Sequence, residues 1–325
     1  PAVRSYFAGC STGGRMGLVS AQRFPRDFVG FIAGAPALVY TGLVASQMAW
    51  IVQANTATDG SEILDRAKVP LVAKAVLETC DGLDGQRDGL IDDPRRCDWK
   101  PAQLQCKGST AADCLTAKEI GVLDHWYMPA TSGDGRIQYP GGVPKGSEPY
   151  WPVWLSGIPG SNALSLAERF GTDFLRYMAF VPDAGAGFDV RNYDFDRDPP
   201  RLATMARIYD ATNPDLTAFR ERGGKLLLFH GWADPLVTPQ RTLDYYGAVR
   251  ATMGGAESTA QFARLFMLPG VDHCGLQPGP GAKSVDFDPL PALEAWVERN
   301  EAPTTLNVRW QMSDGSVRSR DVQAQ

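Results

Sequence analysis

The residues best suited to covalent chemistry lie near the start of the chain, in the segment Gly9-Cys10-Ser11-Thr12-Gly13. The segment fits the pattern Gly-x-Ser-x-Gly, in which a serine stands on a sharp turn between a strand and a helix. The helix N-terminus then directs free N–H groups at the reacting oxygen. The pattern predicts Ser11 as a nucleophile and the backbone N–H of Thr12 as an oxyanion donor. A glycine-rich turn without chemistry is the alternative.

A serine nucleophile needs a base, and the chain has three histidines. His273 follows a predicted strand and a Pro-Gly turn late in the chain, where the order Ser, Asp, His places the base. His125 lies in a helical stretch and is interpreted as structural, while His230 ends a strand and could line a pocket. Asp234 lies between nucleophile and base, just after a strand, so we expect it to accept the Nδ1–H of His273.

The six cysteines are an even number, which is typical of disulfide-bonded exported proteins. Cys10 directly precedes Ser11, and Cys274 directly follows His273. If the serine and histidine side chains meet, these two cysteines come within bonding distance of each other. We therefore predict a Cys10–Cys274 disulfide, with two buried free thiols as the alternative.

An acidic, glycine-rich segment separates Cys80 from Cys97. Its carboxylates are hard oxygen donors of the kind that Ca²⁺ prefers: Asp81, Asp84 and Asp88. Asp and Gly are also ordinary turn formers, so a plain acidic surface loop is the alternative. A Cys80–Cys97 disulfide would close the loop and leave Cys106–Cys114 as the third pair.

The elements that must position these residues fall into three stretches of sequence. Residues 1–41 have the pattern of strand, tight turn, helix and strand, and residues 202–325 return to this alternation. Both patterns predict parts of one mostly parallel sheet flanked by helices. Residues 42–201 combine helical stretches with long loops rich in Gly, Pro and Asp, which predicts an inserted lid domain that carries the calcium loop.

Charge and hydropathy exclude two classes of partner. The formal net charge is −5, and Lys and Arg are not clustered on any one segment, which argues against nucleic acid. No apolar run approaches the roughly 18–20 residues that a membrane helix needs. Oligomeric state cannot be inferred from the sequence.

Several motifs together resemble the tannase and feruloyl esterase family, which also contains a bacterial mono(2-hydroxyethyl) terephthalate hydrolase. They are Gly-Cys-Ser-Thr-Gly-Gly-Arg at 9–15, the acidic loop between cysteines, Gly-Trp-Ala-Asp-Pro at 231–235 and His-Cys-Gly at 273–275. The resemblance implies an α/β-hydrolase fold and a secreted or periplasmic serine esterase acting on aromatic or phenolic acid esters. It also implies Ser11, Asp234 and His273 as the catalytic triad.

The resemblance implies further residue roles. It implies a structural Ca²⁺ in the lid, held by the side chains of Asp81, Asp84 and Asp88 and the carbonyls of Gln86 and Leu90. It also suggests that His230 faces the substrate pocket.

One predicted lid helix offers side chains that could contact an aromatic substrate. Tyr177 and Phe180 are candidates for aromatic walls, although core packing explains such a stripe equally well. Arg176 could bind a substrate carboxylate, with a solvated surface arginine as the alternative.

The resemblance also implies strands ahead of the Ser11 turn, with a loop that supplies a second oxyanion donor. These have no counterpart before Pro1, so we expect that N-terminal strands are missing and that the chain is a fragment. Two functions therefore compete with that of an aromatic-acid esterase. One is a truncated, inactive calcium-binding fragment of such an enzyme, and the other is a serine peptidase of the same fold.

Overall fold

The structure is a computed structural model that describes residues 3–109, 111–161 and 163–325. Its strands are β1 (Tyr6–Cys10), β2 (Gly30–Gly34), β3 (Ala130–Thr131), β4 (Ile137–Tyr139), β5 (Lys225–Gly231), β6 (Ala263–Leu268), β7 (Ala282–Asp286), β8 (Thr305–Met312) and β9 (Val317–Gln323). Its α-helices are α1 (Thr12–Arg23), α2 (Met48–Ala54), α3 (Val69–Cys80), α4 (Ala117–Trp126), α5 (Trp151–Trp154), α6 (Leu166–Tyr177), α7 (Ala203–Tyr209), α8 (Thr217–Glu221), α9 (Gln240–Thr252), α10 (Gly255–Ala260) and α11 (Leu290–Arg299).

Shorter helical turns complete the list of elements. A π-helix spans Gly42–Gln47 and runs directly into α2. Turns of 3₁₀ helix lie at Arg66–Lys68, Asp81–Asp84, Pro94–Arg96, Pro101–Leu104, Glu148–Tyr150, Val190–Asn192, Pro199–Leu202 and His273–Gly275.

The chain divides into two units. The first unit combines the described residues up to Val39 with Asp210–Gln325, and the second unit is Tyr40–Tyr209. The predicted divisions lie after residues 41 and 201, so the first lies two residues earlier than predicted and the second eight residues later. That the second unit works as a lid stays a prediction.

The first unit contains a four-stranded parallel sheet in the order β1-β2-β5-β6. Its central strands are almost wholly apolar and buried, as expected where helices cover both faces of a parallel sheet. In a parallel sheet all carboxyl ends lie at one edge, so the segments after β1, β5 and β6 emerge side by side. These three segments carry Ser11, Asp234 and His273.

Helices cover this sheet and form a core with it. Helix α1 contacts β1 and β2, α10 contacts β6, and α11 contacts β2 and β5. The core on one face contains fully or almost fully buried side chains from α1, the sheet and α9, among them Leu18, Phe31, Leu228, Tyr245 and Val249. Such packing makes the sheet a rigid support for the loops at its carboxyl edge.

A second sheet in the first unit is antiparallel, in the order β7-β8-β9. The end of the chain joins it to the parallel sheet, because the N–H of Gln325 donates to the carbonyl of Leu265 in β6 at 2.9 Å. An isolated bridge between Phe266 and Ala324 adds to this link.

The second unit is mainly helical. Large aromatic side chains fill its interior, including the fully buried Trp99, Trp126 and Trp151. A buried ion pair joins Lys68 to Glu119, with Nζ and Oε2 2.9 Å apart. Among the described residues of the chain, no helix is long and apolar enough to cross a bilayer.

Candidate active site

Ser11 stands on a strained turn between β1 and α1. Its φ of 61° and ψ of −123° lie outside the regions that L-residues usually adopt, which is the backbone expected of a nucleophile elbow. The turn is tight, since a Cβ at Gly9 would lie 2.6 Å from the carbonyl carbon of Gly13. Glycine is therefore required at position 9, and the serine side chain is held at the tip of the turn.

The backbone around Ser11 leaves Thr12 suitably placed to donate. The N–H of Ser11 donates to the carbonyl of Gly34 at 2.9 Å, and its own carbonyl accepts from Arg15 and Ala37. Thr12 is the first residue of α1, where N–H groups have no partner inside the helix. Its N–H is thus of the kind that stabilises an oxyanion.

The loop after β5 holds Asp234 with its two carboxylate oxygens directed to different partners. Oδ1 accepts from the N–H groups of Leu236 and Val237 at 3.0 and 2.9 Å. Oδ2 lies 2.6 Å from Nδ1 of His273. The sequence does not show that these two backbone N–H groups bind Asp234, although an Asp that accepts from the N–H groups of its own turn is a common arrangement.

The electrostatics of this pair suit a histidine base. Burial alone would raise the pKa of Asp234, but its partners, His273 first, hold that pKa at about 2. Burial lowers the pKa of His273, and the charge and hydrogen bond of Asp234 outweigh it, so this pKa is raised above 6.5. Asp234 therefore stays ionised and keeps the Nδ1–H of His273 directed at itself, which makes Nε2 the nitrogen that could act as a base.

The Cys10–Cys274 disulfide joins the two sides of the site. Its Cα atoms are 6.0 Å apart and its sulfurs are bonded across a separation of 264 residues. Because Cys10 adjoins Ser11 and Cys274 adjoins His273, the bond holds the nucleophile turn next to the base. The other cysteines form the Cys80–Cys97 and Cys106–Cys114 disulfides.

His230 occupies a position different from the one expected. The prediction gave it a place on a substrate pocket, but its side chain is 0% exposed in the structure. Its Nδ1 lies 2.8 Å from Oγ1 of Thr242, and its Nε2 lies 2.7 Å from the carbonyl of Val237. Both ring nitrogens are thus occupied by protein groups beneath the Asp234 loop, which corrects the expectation.

The predicted substrate contacts of the second unit lie on or just after α6. Arg176 donates from Nε to the carbonyl of Phe188 at 2.7 Å, and Tyr177 is 53% exposed. Phe180 is 2% exposed and packs on Phe188 and on the guanidinium of Arg201. Phe180 is thus a packing residue of its unit, as the alternative held, and substrate contact by Arg176 and Tyr177 stays a prediction.

The acidic loop is organised by its own backbone. Oδ1 of Asp81 accepts from the N–H groups of Asp88 and Gly89, and Oδ1 of Asp84 accepts from Gln86. The oxygen donors suit Ca²⁺, but among the described residues no three or more His, Cys, Asp or Glu side chains are grouped to hold a metal. A calcium site, with the carbonyls of Gln86 and Leu90, therefore stays a prediction.

A parallel sheet flanked by helices, with the elbow turn of Ser11 after β1 and the loops of Asp234 and His273 after β5 and β6, has the arrangement of an α/β-hydrolase fold. The model of the family described as "Tannase and feruloyl esterase" matches residues 1–324. The chain belongs to this family, as the motifs predicted.

Individual relatives agree with this assignment. The chain is 36% identical over 344 residues to an uncharacterized esterase of Xanthomonas campestris pv. campestris, with 93% of this chain and 57% of that protein covered. It is 34% identical over 370 residues to mono(2-hydroxyethyl) terephthalate hydrolase of Piscinibacter sakaiensis, with 97% and 58% covered. The crystal structure of feruloyl esterase B from Aspergillus oryzae superposes with a TM-score of 0.84 at 28% identity, with 99% and 65% covered. The chain thus spans less than two thirds of each of these proteins.

Proposed function

We propose that the protein is a serine carboxylic ester hydrolase that acts on esters of aromatic or phenolic acids, such as feruloyl or galloyl esters. One observation carries the proposal above all. Ser11 stands on a strained elbow that a disulfide ties to His273, and Nδ1 of His273 lies 2.6 Å from a buried carboxylate of Asp234. Membership of a family of named ester hydrolases supports the same conclusion.

The mechanism is two-step acyl transfer. Nε2 of His273 accepts the proton of the Ser11 hydroxyl as Oγ attacks the ester carbonyl carbon, and the N–H of Thr12 donates to the resulting oxyanion. The carbon–oxygen bond to the alcohol then breaks, and His273 returns the proton to the departing alcohol. Water repeats the cycle on the acyl-enzyme, with Asp234 stabilising the imidazolium in both halves.

The experiment that tests this function is covalent labelling of the serine. Wild-type protein should react with a serine-directed phosphonate and give a burst of p-nitrophenol from a p-nitrophenyl ester, while a folded Ser11→Ala variant should do neither. A nearby control is Ser20→Ala, which removes a hydroxyl from the middle of α1 and should leave both reactions intact. Folded wild-type protein that reacts with neither reagent would instead support an inactive fragment.

The substrate class needs its own comparison. A panel of feruloyl, galloyl and terephthalate monoesters, beside a matched peptide amide, should give turnover of at least one aromatic ester. Faster cleavage of the peptide would support the peptidase of the same fold. This assignment rests on the relatives, since a feruloyl esterase and a terephthalate monoester hydrolase are among them.

Export and calcium belong to the same proposal. Three disulfides favour an oxidising compartment, so we expect a secreted or periplasmic protein. A Ca²⁺ bound by the acidic loop would stabilise the second unit and take no part in acyl transfer. The melting temperature should then be lower in EDTA and recover when CaCl₂ is added. A melting temperature that changes with neither reagent would count against the metal site.

A further inference from the structure

We propose that His230 is a positioning residue, which holds the Asp234 carboxylate in the orientation that accepts the hydrogen bond of His273. The inference rests on the proposed function, because it assigns His230 a part in the same triad. His230 is the penultimate residue of β5 and precedes Asp234 by four residues, so the two residues flank one tight turn.

The contacts of Nε2 carry the first step. This nitrogen lies 2.7 Å from the carbonyl oxygen of Val237 and 3.3 Å from Oδ2 of Asp234. A carbonyl can only accept, so Nε2 must carry the hydrogen of the bond to Val237, and the same N–H group lies close to Oδ2. Oδ2 is also the oxygen bonded to His273. His230 therefore contacts the one carboxylate oxygen on which the triad depends.

The other ring nitrogen fixes the orientation of the imidazole. Nδ1 lies 2.8 Å from Oγ1 of Thr242 on α9, and both side chains are fully buried. A ring held at both nitrogens in a close-packed interior cannot turn without losing two buried hydrogen bonds. The Asp234 loop is thereby attached to α9 as well as to its own strand.

Together these contacts fix both oxygens of Asp234. Oδ1 is held by the backbone N–H groups of Leu236 and Val237, and Oδ2 is shared between His230 and His273. The carbonyl of Val237 also accepts from Nε2 of His230, so the same N–H group bonds the loop backbone and contacts the carboxylate at 3.3 Å. A histidine buried only for packing would not need to bring an N–H group to 3.3 Å from Oδ2.

This arrangement predicts a specific kinetic effect. His230 is fully buried and touches only protein groups in the described structure, so its loss should leave KM nearly unchanged. A loosened Asp234 orients His273 poorly, so kcat for an activated ester should fall about 10- to 100-fold in His230→Leu, as for other partners that orient a functional histidine. His230→Gln retains an N–H donor and should recover part of that loss.

Two further variants separate positioning from general loss of stability. Tyr246→Phe, also on α9, removes a buried hydrogen bond to the carbonyl of Ala263 and should keep kcat within twofold of wild type. Thr242→Val frees Nδ1 but keeps the imidazole, so it should lower kcat less than His230→Leu does. If His230→Leu fails to fold, the comparison of Thr242→Val with Tyr246→Phe decides. Equal kcat in Thr242→Val and Tyr246→Phe would overturn the proposal. So would an equal loss of kcat in these two variants and both His230 variants.

A readout independent of turnover keeps this inference separate from the proposed function. The proton between Nδ1 of His273 and Asp234 should give a far-downfield NMR signal that broadens or shifts in His230→Leu and is retained in Tyr246→Phe. An unchanged signal in folded His230→Leu would overturn the positioning role even if the protein proved inactive. The wild-type protein could instead give this signal, and lose it in His230→Leu, without being labelled by the phosphonate. That outcome would overturn the esterase function and leave the positioning role standing.

Discussion

At the scale of single residues, the carboxylate of Asp234 determines how the site responds to pH. Its pKa of about 2 keeps it ionised at any pH where the protein would be assayed. The negative charge beside His273 in turn raises the pKa of that imidazole, against the effect of burial. The base is therefore protonated at mildly acidic pH.

This arrangement predicts the pH profile of the free protein. In the proposed mechanism only the unprotonated imidazole accepts the serine proton, so kcat/KM should rise with pH through an apparent pKa above 6.5 and then level off. Stopped-flow acylation with an activated ester between pH 5 and 9 measures it. Asp234→Asn should lower kcat by roughly 10⁴-fold, since the amide cannot fix the tautomer. A profile already flat below pH 6 would contradict the raised pKa.

Chain order and the pattern around Ser11 predict the proposed triad, and the structure brings two of its members, Asp234 and His273, to 2.6 Å, while its catalytic role stays a proposal. His230 could not be placed in the same way. Its position at a strand end suggested the pocket, but only the three-dimensional path of the loop after β5 shows that Val237 and Thr242 enclose it. A side chain's partners depend on where α9 packs, and that information is not local in sequence.

At the scale of elements, the two glycines of the elbow have different roles. A Cβ at Gly9 would come within 2.6 Å of the backbone of Gly13, whereas a Cβ at Gly13 would meet nothing within 4 Å. The pattern Gly-x-Ser-x-Gly treats both positions alike, and the structure separates them.

Two matched variants test this difference. Gly9→Ala should destabilise the protein by about 1–3 kcal/mol, because β1 and α1 must move apart to admit the methyl group. Gly13→Ala should unfold at the same or a higher temperature, since alanine favours a helix by up to about 1 kcal/mol over glycine. Urea unfolding of both variants measures the difference. Similar destabilisation in the two would show that the elbow needs something besides space at position 9.

The regular elements were largely predictable, and the irregular ones were not. Apolar runs and turn residues located β1, β2, β5, β6 and α9, because burial on a parallel sheet leaves a direct mark on composition. The π-helix at Gly42–Gln47 leaves no such mark, because apolar composition does not distinguish i to i+5 hydrogen bonds from those of the α-helix that follows it. Packing between residues far apart in sequence determines where such a π-helix forms.

At the scale of the whole molecule, the disulfides differ in how much chain they close. Cys10–Cys274 spans 264 residues, and Cys106–Cys114 spans 8. In the chain-entropy model the first stabilises the folded state by on the order of 5 kcal/mol and the second by about 2 to 3 kcal/mol.

Replacing each pair by alanines should reveal this order. The Cys10→Ala, Cys274→Ala double variant should lose more free energy of unfolding than Cys106→Ala, Cys114→Ala, and it alone should lower kcat, because its bond adjoins the proposed triad. Guanidinium unfolding and ester turnover measure the two effects. Unchanged kcat in the first double variant would mean that packing alone holds Ser11 and His273 together.

The second unit contains a group that should make its stability depend on pH. Glu148 is 0% exposed, and burial raises its pKa to about 7 although Oε1 accepts from the Tyr127 hydroxyl at 2.8 Å and Oε2 from the N–H of Gly146 at 2.8 Å. A carboxyl whose folded pKa exceeds its ordinary 4.5 contributes stability that is fully present below pH 4.5 and lost as pH rises through 7. The difference corresponds to roughly 3 kcal/mol.

Glu148→Gln should remove this dependence, because the amide keeps a neutral acceptor for Tyr127 and never ionises. Between pH 4.5 and 8 the variant's melting temperature should gain on that of wild type, most steeply midway between the two pKa values of 4.5 and about 7. Glu78→Gln, at an exposed position on α3, is the matched control and should follow wild type throughout. Parallel curves of melting temperature against pH for Glu148→Gln and wild type would show that this carboxyl ionises as readily when buried as in water. Its two hydrogen bonds would then offset the whole cost of desolvation.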